Sequence, residues 1–268
     1  MDLGVHNATA VITGGSKGMG RASAEHLAKE GARIAVFART SATLDETIEA
    51  LEQMGSPDAI GLCVDVADPS AVTRAFSEIE ERWEQLNILI NTVGPGGTGS
   101  IDEFTEEQWT DSFNLGTVSA VRCIHAALPL LRRADWARIV NVSAHSTKRQ
   151  TPTLIAYTAA KSALTSASKN LAKTLAPEGI LVNTVSPGTF LTDGVRSWLE
   201  GMATERGLNP NRLEDLNRVI DEDFGEPCDL GRAGLPEEIG AVIAFAASRM
   251  NSYMTGTNIN VDGGSDFT

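Results

Sequence analysis

Hydrophobic residues along the chain recur in short runs rich in β-branched side chains, with longer stretches of helical spacing between them. Short apolar runs bounded by turn residues are typical of buried strands, and apolar positions three and four apart predict amphipathic helices. Strands that alternate with helices in this way predict a parallel sheet joined by right-handed crossovers. The predicted strands are ATAVITG, RIAVFA, AIGLCVDV, NILINTVG, ARIVNVSA, ILVNTVSPG and NINVDGG, and the predicted helices span about 18–30, 41–53, 69–84, 106–132, 156–176 and 236–248.

These elements predict an α/β fold in one domain, 1–268, with a Rossmann-like, doubly wound, parallel sheet of seven strands and helices on both faces. One stretch, about 189–235, interrupts the alternation of strands and helices. It is polar and charged, and it holds only short helical patterns such as VRSWLEGMATER. A long insertion after a strand end commonly forms a lid over a substrate. A solvated helical excursion is the alternative.

Charge and composition exclude several classes of protein. The formal net charge of −13 argues against a broad nucleic-acid surface, which needs a basic stripe. No run of eighteen apolar residues predicts a membrane span, and the start MDLGVHNATAVITGG lacks the features of a signal peptide, so we expect a cytoplasmic protein. Because Cys63, Cys123 and Cys228 are far apart, without a Cys-x-x-Cys motif or a histidine cluster, we expect no disulfide framework and no metal site.

A glycine-rich segment, TGGSKGMG at residues 13–20, follows the first predicted strand and precedes the first predicted helix. Its glycines have G-x-x-x-G-x-G spacing, which differs from the G-x-G-x-x-G of other dinucleotide folds. Glycines permit a tight turn, let the backbone approach a pyrophosphate and aim a helix N-terminus at it. The segment therefore predicts a nucleotide-binding loop, although a glycine triplet alone can simply form a turn.

The residue at the end of the second strand indicates the choice of cofactor. Folds that bind NAD carry an acidic residue about 20 positions after the loop, where it contacts the ribose hydroxyls. This chain has Arg39 there, and Lys17 lies within the loop itself. Because a guanidinium and an ammonium suit a 2′-phosphate, we expect NADP(H), with NAD(H) still possible. The alternative is that Arg39 is an ordinary surface arginine.

Three residues form a candidate catalytic set. Tyr157 and Lys161 are four positions apart in a predicted helix, so they lie one turn from each other on one face. An ammonium near a phenol favours the phenolate and lowers the phenol pKa, as a general acid or base requires. Ser143 follows the buried strand ARIVNV, at the end of a sheet where such folds bind ligands, and its hydroxyl could hold a substrate oxygen. A Tyr-x-x-x-Lys spacing also arises by chance.

Taken together, the motifs resemble those of the short-chain dehydrogenases/reductases over nearly the whole chain. The tail GRAGLPEEIG…YMTGTNINVDGG is similar to those of 3-oxoacyl-carrier-protein reductases and secondary alcohol dehydrogenases of that family. The motifs, in family order, are the glycine loop, Asp65-Val66 after the third strand, Asn91 in NTVG, Asn114 in FNLGT, the set Ser143, Tyr157 and Lys161, and Pro187-Gly188 after the sixth strand.

The resemblance implies a role for each of these positions. Tyr157 would be the acid or base on the substrate oxygen, and Lys161 would bind the nicotinamide ribose and lower the tyrosine pKa. Ser143 would polarise the carbonyl, and Asn114 would hold a water that links Lys161 to solvent. Asp65 would meet the adenine amino group, Asn91 would steady the sheet near adenosine, and Pro187 to Thr192 would border the nicotinamide. Asn114 and Asn91 could instead satisfy backbone groups. The cofactor-binding residues that follow are Gly14, Ser16, Lys17, Gly18, Met19, Gly20, Arg39, Asp65, Val66, Asn91, Gly94, Tyr157, Lys161, Pro187, Gly188 and Thr192.

One departure from the family pattern follows the fourth strand, where N-N-A-G is replaced by NTVG at 91–94. The glycine-rich run GPGGTGS comes next and predicts a mobile wall of the substrate pocket. An apolar lid over a polar floor favours a hydrophobic carbonyl or 3-oxoacyl substrate. The candidate substrate residues are Pro95, Gly96, His145, Trp198 and Met202.

The sequence therefore predicts an NADP(H)-dependent oxidoreductase that interconverts a ketone and a secondary alcohol. A non-catalytic NADP(H) sensor, an NAD-dependent alcohol oxidation and an epimerase or dehydratase on the same fold are the alternatives. The expected partner is a small carbonyl or alcohol, not nucleic acid or a membrane. The resemblance also implies a homo-oligomer, a tetramer, because the family commonly pairs the two long helices that correspond to 106–132 and 156–176 here. The helix at 156–176 has more small residues than one buried face needs, which agrees with this expectation.

Overall fold

The computed structural model describes residues 2–223 and 228–265 and contains a parallel sheet of seven strands. The strand order is β3-β2-β1-β4-β5-β6-β7, and every neighbouring pair is parallel. This confirms the predicted doubly wound fold. The strands are β1 (Thr9–Thr13), β2 (Arg33–Ala38), β3 (Ala59–Cys63), β4 (Ile88–Asn91), β5 (Ala137–Val142), β6 (Ile180–Pro187) and β7 (Asn258–Val261).

Successive residues of each strand point to opposite sides of the sheet, so both faces carry apolar side chains. Helices cover both faces. Ile12 of β1 belongs to the core under α1, α2 and α9, whereas its neighbour Val11 belongs to the core under α3, α5 and α6. The helices are α1 (Gly18–Lys29), α2 (Ser41–Met54), α3 (Pro69–Trp83), α4 (Glu106–Phe113), α5 (Ser119–Leu131), α6 (Ile155–Leu175), α7 (Asp193–Glu205), α8 (Leu213–Asp223) and α9 (Pro236–Ala247).

The helix predicted at 106–132 is not regular along its length, since a π-helical segment, Asn114–Val118, separates α4 from α5. This segment packs closely against α6. A Cβ atom on Gly116 would lie 2.9 Å from the Cβ of Ala160, and the Thr117 hydroxyl donates to the Ala160 carbonyl oxygen at 2.6 Å. The helical spacing of apolar residues in the sequence does not reveal a π-helical turn.

The predicted lid, 189–235, is largely helical. Helices α7 and α8 pack around their own small core, which includes Leu199, Leu216 and Val219. The two ends of the segment meet where the Leu191 amide donates to the Gly234 carbonyl oxygen at 2.9 Å. Residues 224–227 of this segment lie outside the described residues. In the part of the chain that the structure describes, no helix is long and apolar enough to cross a membrane.

Candidate active site

The glycine loop joins β1 to α1 in a tight turn at the carboxyl edge of the sheet. Gly14 and Gly18 have φ angles of +68° and +53°, which side-chain-bearing residues rarely adopt. A Cβ atom on Gly20 would lie 2.6 Å from the carbonyl oxygen of Gly14. The loop therefore requires glycine at these positions, and it leaves the N-terminus of α1 open toward any bound phosphate.

A cavity of about 280 Å³ extends from this loop across the ends of β2 and β3. The glycine loop and the ends of β2 and β3, which border this cavity, are where folds of this kind bind a dinucleotide. Sequence analysis missed the apolar and threonine members of this lining, whose only sequence signal is that they flank predicted residues. The cavity is lined by the predicted residues Gly14, Ser16, Lys17, Arg39, Asp65, Val66 and Gly94, and by Phe37, Ala38, Thr40, Thr43, Val64, Val93 and Leu115.

Lys17 and Arg39 bring two positive charges to this cavity, and both side chains are exposed. Many other arginines are paired, as Arg21 is with Glu25 at 2.6 Å. Within residues 2–223 and 228–265, neither Lys17 nor Arg39 forms an ion pair with a carboxylate. In a chain of net charge −13, two uncompensated cations at one cavity favour an anionic ligand.

Arg122 of α5 connects two predicted site residues, of which Val66 lines the cavity. Its guanidinium donates to the carbonyl oxygen of Val66 at 2.5 Å and to Oδ1 of Asn114 at 3.3 Å. The carboxylate of Asp65 accepts a hydrogen bond from the Ala67 amide at 2.9 Å. Sequence analysis missed Arg122, because nothing in a helical pattern shows that its side chain reaches back to the β3–α3 turn.

Tyr157 and Lys161 lie one turn apart on α6, as predicted. The Lys161 ammonium is buried, and its Nζ donates to the carbonyl oxygen of Val142 at 2.7 Å. A Cβ atom on Gly94 would lie 2.8 Å from Nζ, so glycine at this position makes room for the ammonium. Burial lowers the pKa of Lys161 from 10.5 to about 8, because desolvation disfavours the charged form.

The Ser143 hydroxyl lies against α6 at a different level from Tyr157. Its Oγ is 2.6 Å from Oγ1 of Thr165 and 3.2 Å from the carbonyl oxygen of Lys161, and the residue is only 1% exposed. Thr165 follows Tyr157 by eight residues, so it lies about 12 Å further along the helix axis. The structure therefore brings Lys161 and Ser143 together, but it does not bring the Ser143 hydroxyl to Tyr157.

The remaining predicted asparagine belongs to a buried polar chain. Nδ2 of Asn91 donates to Oδ1 of Asn141 at 2.9 Å, and Nδ2 of Asn141 donates to Oγ of Ser168 at 2.9 Å. Asn91 and Asn141 are register partners on β4 and β5, and Ser168 lies on α6. The chain of hydrogen bonds therefore fastens α6, with Tyr157 and Lys161, to the centre of the sheet.

The end of β6 lies beside the glycine loop. A Cβ atom on Gly18 would lie 3.0 Å from Cγ2 of Thr192, and one on Gly188 would lie 2.8 Å from Cα of Asp262. Pro187 ends β6, and its carbonyl oxygen lies 2.9 Å from Nδ1 of His145. The predicted residues of the glycine loop, of the turn after β5 and of the loop after β6 therefore lie together at one edge of the sheet. Met19 differs, because its side chain packs into the core under α1.

The candidate substrate residues lie on different segments, namely the loop after β4, the turn after β5, and α7. Pro95 and Gly96 line a second opening of about 400 Å³ beside α4, which also contains Glu103 and Asp111. Met202 packs against the lid core, whereas Trp198 is 42% exposed. Their contact with a substrate remains a prediction.

Comparisons with known proteins agree with this geometry. A family model described as enoyl-(acyl carrier protein) reductase matches residues 14–266. The uncharacterized oxidoreductase YvrD of Bacillus subtilis is 32% identical over 98% of each chain, and a rhamnolipid-biosynthesis 3-oxoacyl-[acyl-carrier-protein] reductase of Pseudomonas aeruginosa is 31% identical over 95% of this chain and 94% of its own.

Among solved structures, L-sorbose reductase of Gluconobacter frateurii, complexed with NADPH and L-sorbose, superimposes with a TM-score of 0.93 at 30% identity over the full length of both chains. The matched family model and these relatives span the glycine loop, the Tyr157–Lys161 pair and the strand ends around them. The chain therefore belongs to the short-chain dehydrogenase/reductase family of oxidoreductases.

Proposed function

We propose that this protein is an NADPH-dependent reductase that converts a ketone to a secondary alcohol and can run in reverse. The observation that carries the proposal is the position of the Lys161 ammonium. It is buried one helical turn from Tyr157 and lies beside Gly94, which lines the cavity at the glycine loop. A pure nucleotide sensor would have no need of a buried cation beside a phenol.

NADP(H) is the preferred cofactor in this proposal. Lys17 and Arg39 supply positive charge at the cavity, and neither forms an ion pair with a carboxylate of the described residues. A 2′-phosphate is the feature that separates NADPH from NADH. The similar L-sorbose reductase was solved with NADPH. NAD(H) would lose these contacts, so we expect it to bind more weakly.

NADPH supplies a hydride when bound. Tyr157 would donate its proton to the carbonyl oxygen as the carbonyl carbon is reduced, which gives the alcohol and a tyrosinate that solvent would reprotonate. Lys161 stabilises the tyrosinate by its charge, and the N–H groups not used on Val142 can bind ribose hydroxyls. Asn114 contacts Arg122 and supports the adenine end, and its predicted role in holding a water stays a proposal.

The substrate in this proposal is a small carbonyl compound, hydrophobic or a 3-oxoacyl thioester. The exposed Trp198 of the lid offers an apolar surface, and a similar relative is a 3-oxoacyl-[acyl-carrier-protein] reductase. The acidic and amide groups around Pro95 and Gly96 would suit a hydroxylated ketone instead. A panel that contains both classes therefore decides the question.

The proposal also includes the oligomeric state of the protein and its location in the cell. Val118 and Val121, 45% and 40% exposed, place apolar surface around the start of α5, where packing against a second copy would cover it. We expect a tetramer in the cytoplasm, and light scattering at micromolar concentration would show a monomer if the assembly is wrong.

The test of the function is steady-state turnover with both reduced cofactors. The panel would hold L-sorbose, a 3-oxoacyl thioester and a cyclic ketone, with consumption followed by nicotinamide absorbance. We expect turnover of at least one compound with NADPH, and slower turnover with NADH. Binding of NADPH without turnover of any compound would favour the sensor.

A further inference from the structure

We infer that Ser146, and not Ser143, donates the hydrogen bond that orients the substrate carbonyl; this inference rests on the proposed reductase function. The reduction needs a second donor beside Tyr157, because a carbonyl oxygen that accepts two hydrogen bonds is held and polarised while the hydride adds to carbon. The hydroxyls near the end of β5 are therefore the candidates.

Ser143 is poorly placed for this role. Its Oγ is bound between Oγ1 of Thr165 and the carbonyl oxygen of Lys161, so its proton is already used on α6. Side chains on a helix lean toward its N-terminus, which carries the Tyr157 phenol further from Thr165. A change of rotamer at Ser143 pivots a single oxygen about one bond and cannot cross two helical turns.

Ser146 lies at the level of Tyr157. Its Oγ accepts a hydrogen bond of 3.1 Å from Oγ1 of Thr158, the residue that follows Tyr157 in the first turn of α6. Both hydroxyls are buried. Within residues 2–223 and 228–265, the Ser146 hydroxyl has no hydrogen-bond acceptor, so its proton is available to a substrate oxygen. The bond from Thr158 polarises the Ser146 hydroxyl and makes it a stronger donor.

The short 3₁₀ turn that contains Ser146, His145–Thr147, is fixed over the edge of the sheet. A carbonyl oxygen only accepts hydrogen bonds, so Nδ1 of His145 carries a proton and donates it to the Pro187 carbonyl oxygen at 2.9 Å. The Thr147 hydroxyl donates to the carbonyl oxygen of Ala144 at 2.9 Å. These two bonds hold the turn between the end of β6 and the start of α6, where Tyr157 lies.

The chemistry of the step is otherwise unchanged. The carbonyl carbon gains the hydride, its oxygen gains the Tyr157 proton, and Ser146 keeps its own proton throughout. Thr158 is a positioning residue in this arrangement, since its hydroxyl acts on the substrate only through its hydrogen bond to Ser146. Loss of one such donor commonly lowers kcat by about 100- to 1,000-fold.

The experiment compares Ser146→Ala with Ser143→Ala as its matched control, both at saturating NADPH on a compound that the wild type reduces. We expect kcat to fall about 100-fold or more for Ser146→Ala, with the Kd for NADPH within about threefold of wild type. Ser143→Ala should keep kcat within about threefold. Ser146→Thr, which retains a hydroxyl, should recover at least a tenth of the wild-type kcat, a recovery that a merely structural serine would not require.

The opposite pattern, with kcat lost in Ser143→Ala and retained in Ser146→Ala, would overturn the inference while the reductase function stands. If both alanine variants lose kcat, the Ser146→Thr variant decides, and failure of the threonine to recover kcat would also overturn it. A wild type that binds NADPH but reduces no compound of the panel would overturn the proposed function, and this inference with it.

Discussion

The Lys161 ammonium donates a hydrogen bond of 2.7 Å to the carbonyl oxygen of Val142, the last residue of β5. This bond joins α6, which carries the Tyr157–Lys161 pair, to the carboxyl edge of the sheet, where the cofactor cavity opens. The charge is buried without a carboxylate partner in the described chain, so the folded protein holds it at a cost in stability that the proposed reaction explains.

The buried Lys161 ammonium predicts how the free energy of unfolding depends on pH. The pKa of Lys161 is about 8 in the folded protein and 10.5 ordinarily, so between these values the unfolded chain binds a proton that the folded chain releases. The free energy of unfolding should therefore rise with pH across this window, by on the order of 3 kcal/mol from this group. Denaturant titrations of the cofactor-free protein measure the rise, and Lys161→Met should lack it. An equal rise in both proteins would mean that other groups cause it.

Tyr157→Phe should lower kcat by about 100-fold or more, because the ring still packs and only the transferable proton is lost. The Kd for NADPH should change little. The chain has two tyrosines, and the other, Tyr253, is fully exposed, so Tyr253→Phe is a matched control that should behave as wild type. Near-wild-type turnover of Tyr157→Phe on a good substrate would contradict the assigned acid.

Arg39→Asp should narrow or reverse the preference for NADPH over NADH. One charge-assisted contact to the 2′-phosphate contributes roughly 1.5–3 kcal/mol, which corresponds to about a ten- to hundredfold change in the ratio of the two Kd values. Arg74→Asp makes the same charge change on the exposed surface of α3 and should leave the ratio unaltered. Titration of both reduced cofactors into each protein checks this, and an unchanged ratio for Arg39→Asp would make Arg39 an ordinary surface arginine.

Gly20→Ala should weaken NADPH binding severely, since its Cβ atom would lie 2.6 Å from the Gly14 carbonyl oxygen and the loop would have to open. Gly201→Ala places a methyl group in open space on α7 and should leave binding intact, with a small gain in helix stability. Isothermal calorimetry with NADPH measures both. Tight binding by Gly20→Ala would show that the cofactor does not use this loop.

Arg122→Met should raise the Kd for NADPH by about tenfold, because the Val66 carbonyl oxygen and the Asn114 side chain lose a shared charged donor. The loss should be equal for NADH, since the contact is at the adenine end. A change confined to NADPH would place Arg122 near the 2′-phosphate instead.

The sequence predicted the order of strands and helices because buried parallel strands are nearly continuous in apolar residues. It also predicted the glycine loop and the spacing of Tyr157 and Lys161, since both depend on local geometry. It could not show that the Ser143 hydroxyl binds Thr165, or that Arg122 reaches Val66. Those contacts depend on the rotation of one side chain and on how α5 and α6 lie against the sheet, which no local pattern records.

The central claim is that a hydride passes from NADPH to a carbonyl carbon with Tyr157 as the proton donor. The most direct measurement uses NADPH in which both hydrogens of the reactive nicotinamide carbon are deuterium, with product analysis by mass spectrometry. We expect one deuterium at the carbinol carbon of each alcohol formed by the wild type, and labelled alcohol formed about 100-fold or more slowly with Tyr157→Phe. Alcohol formed without the label, or cofactor bound and never consumed, would contradict the account.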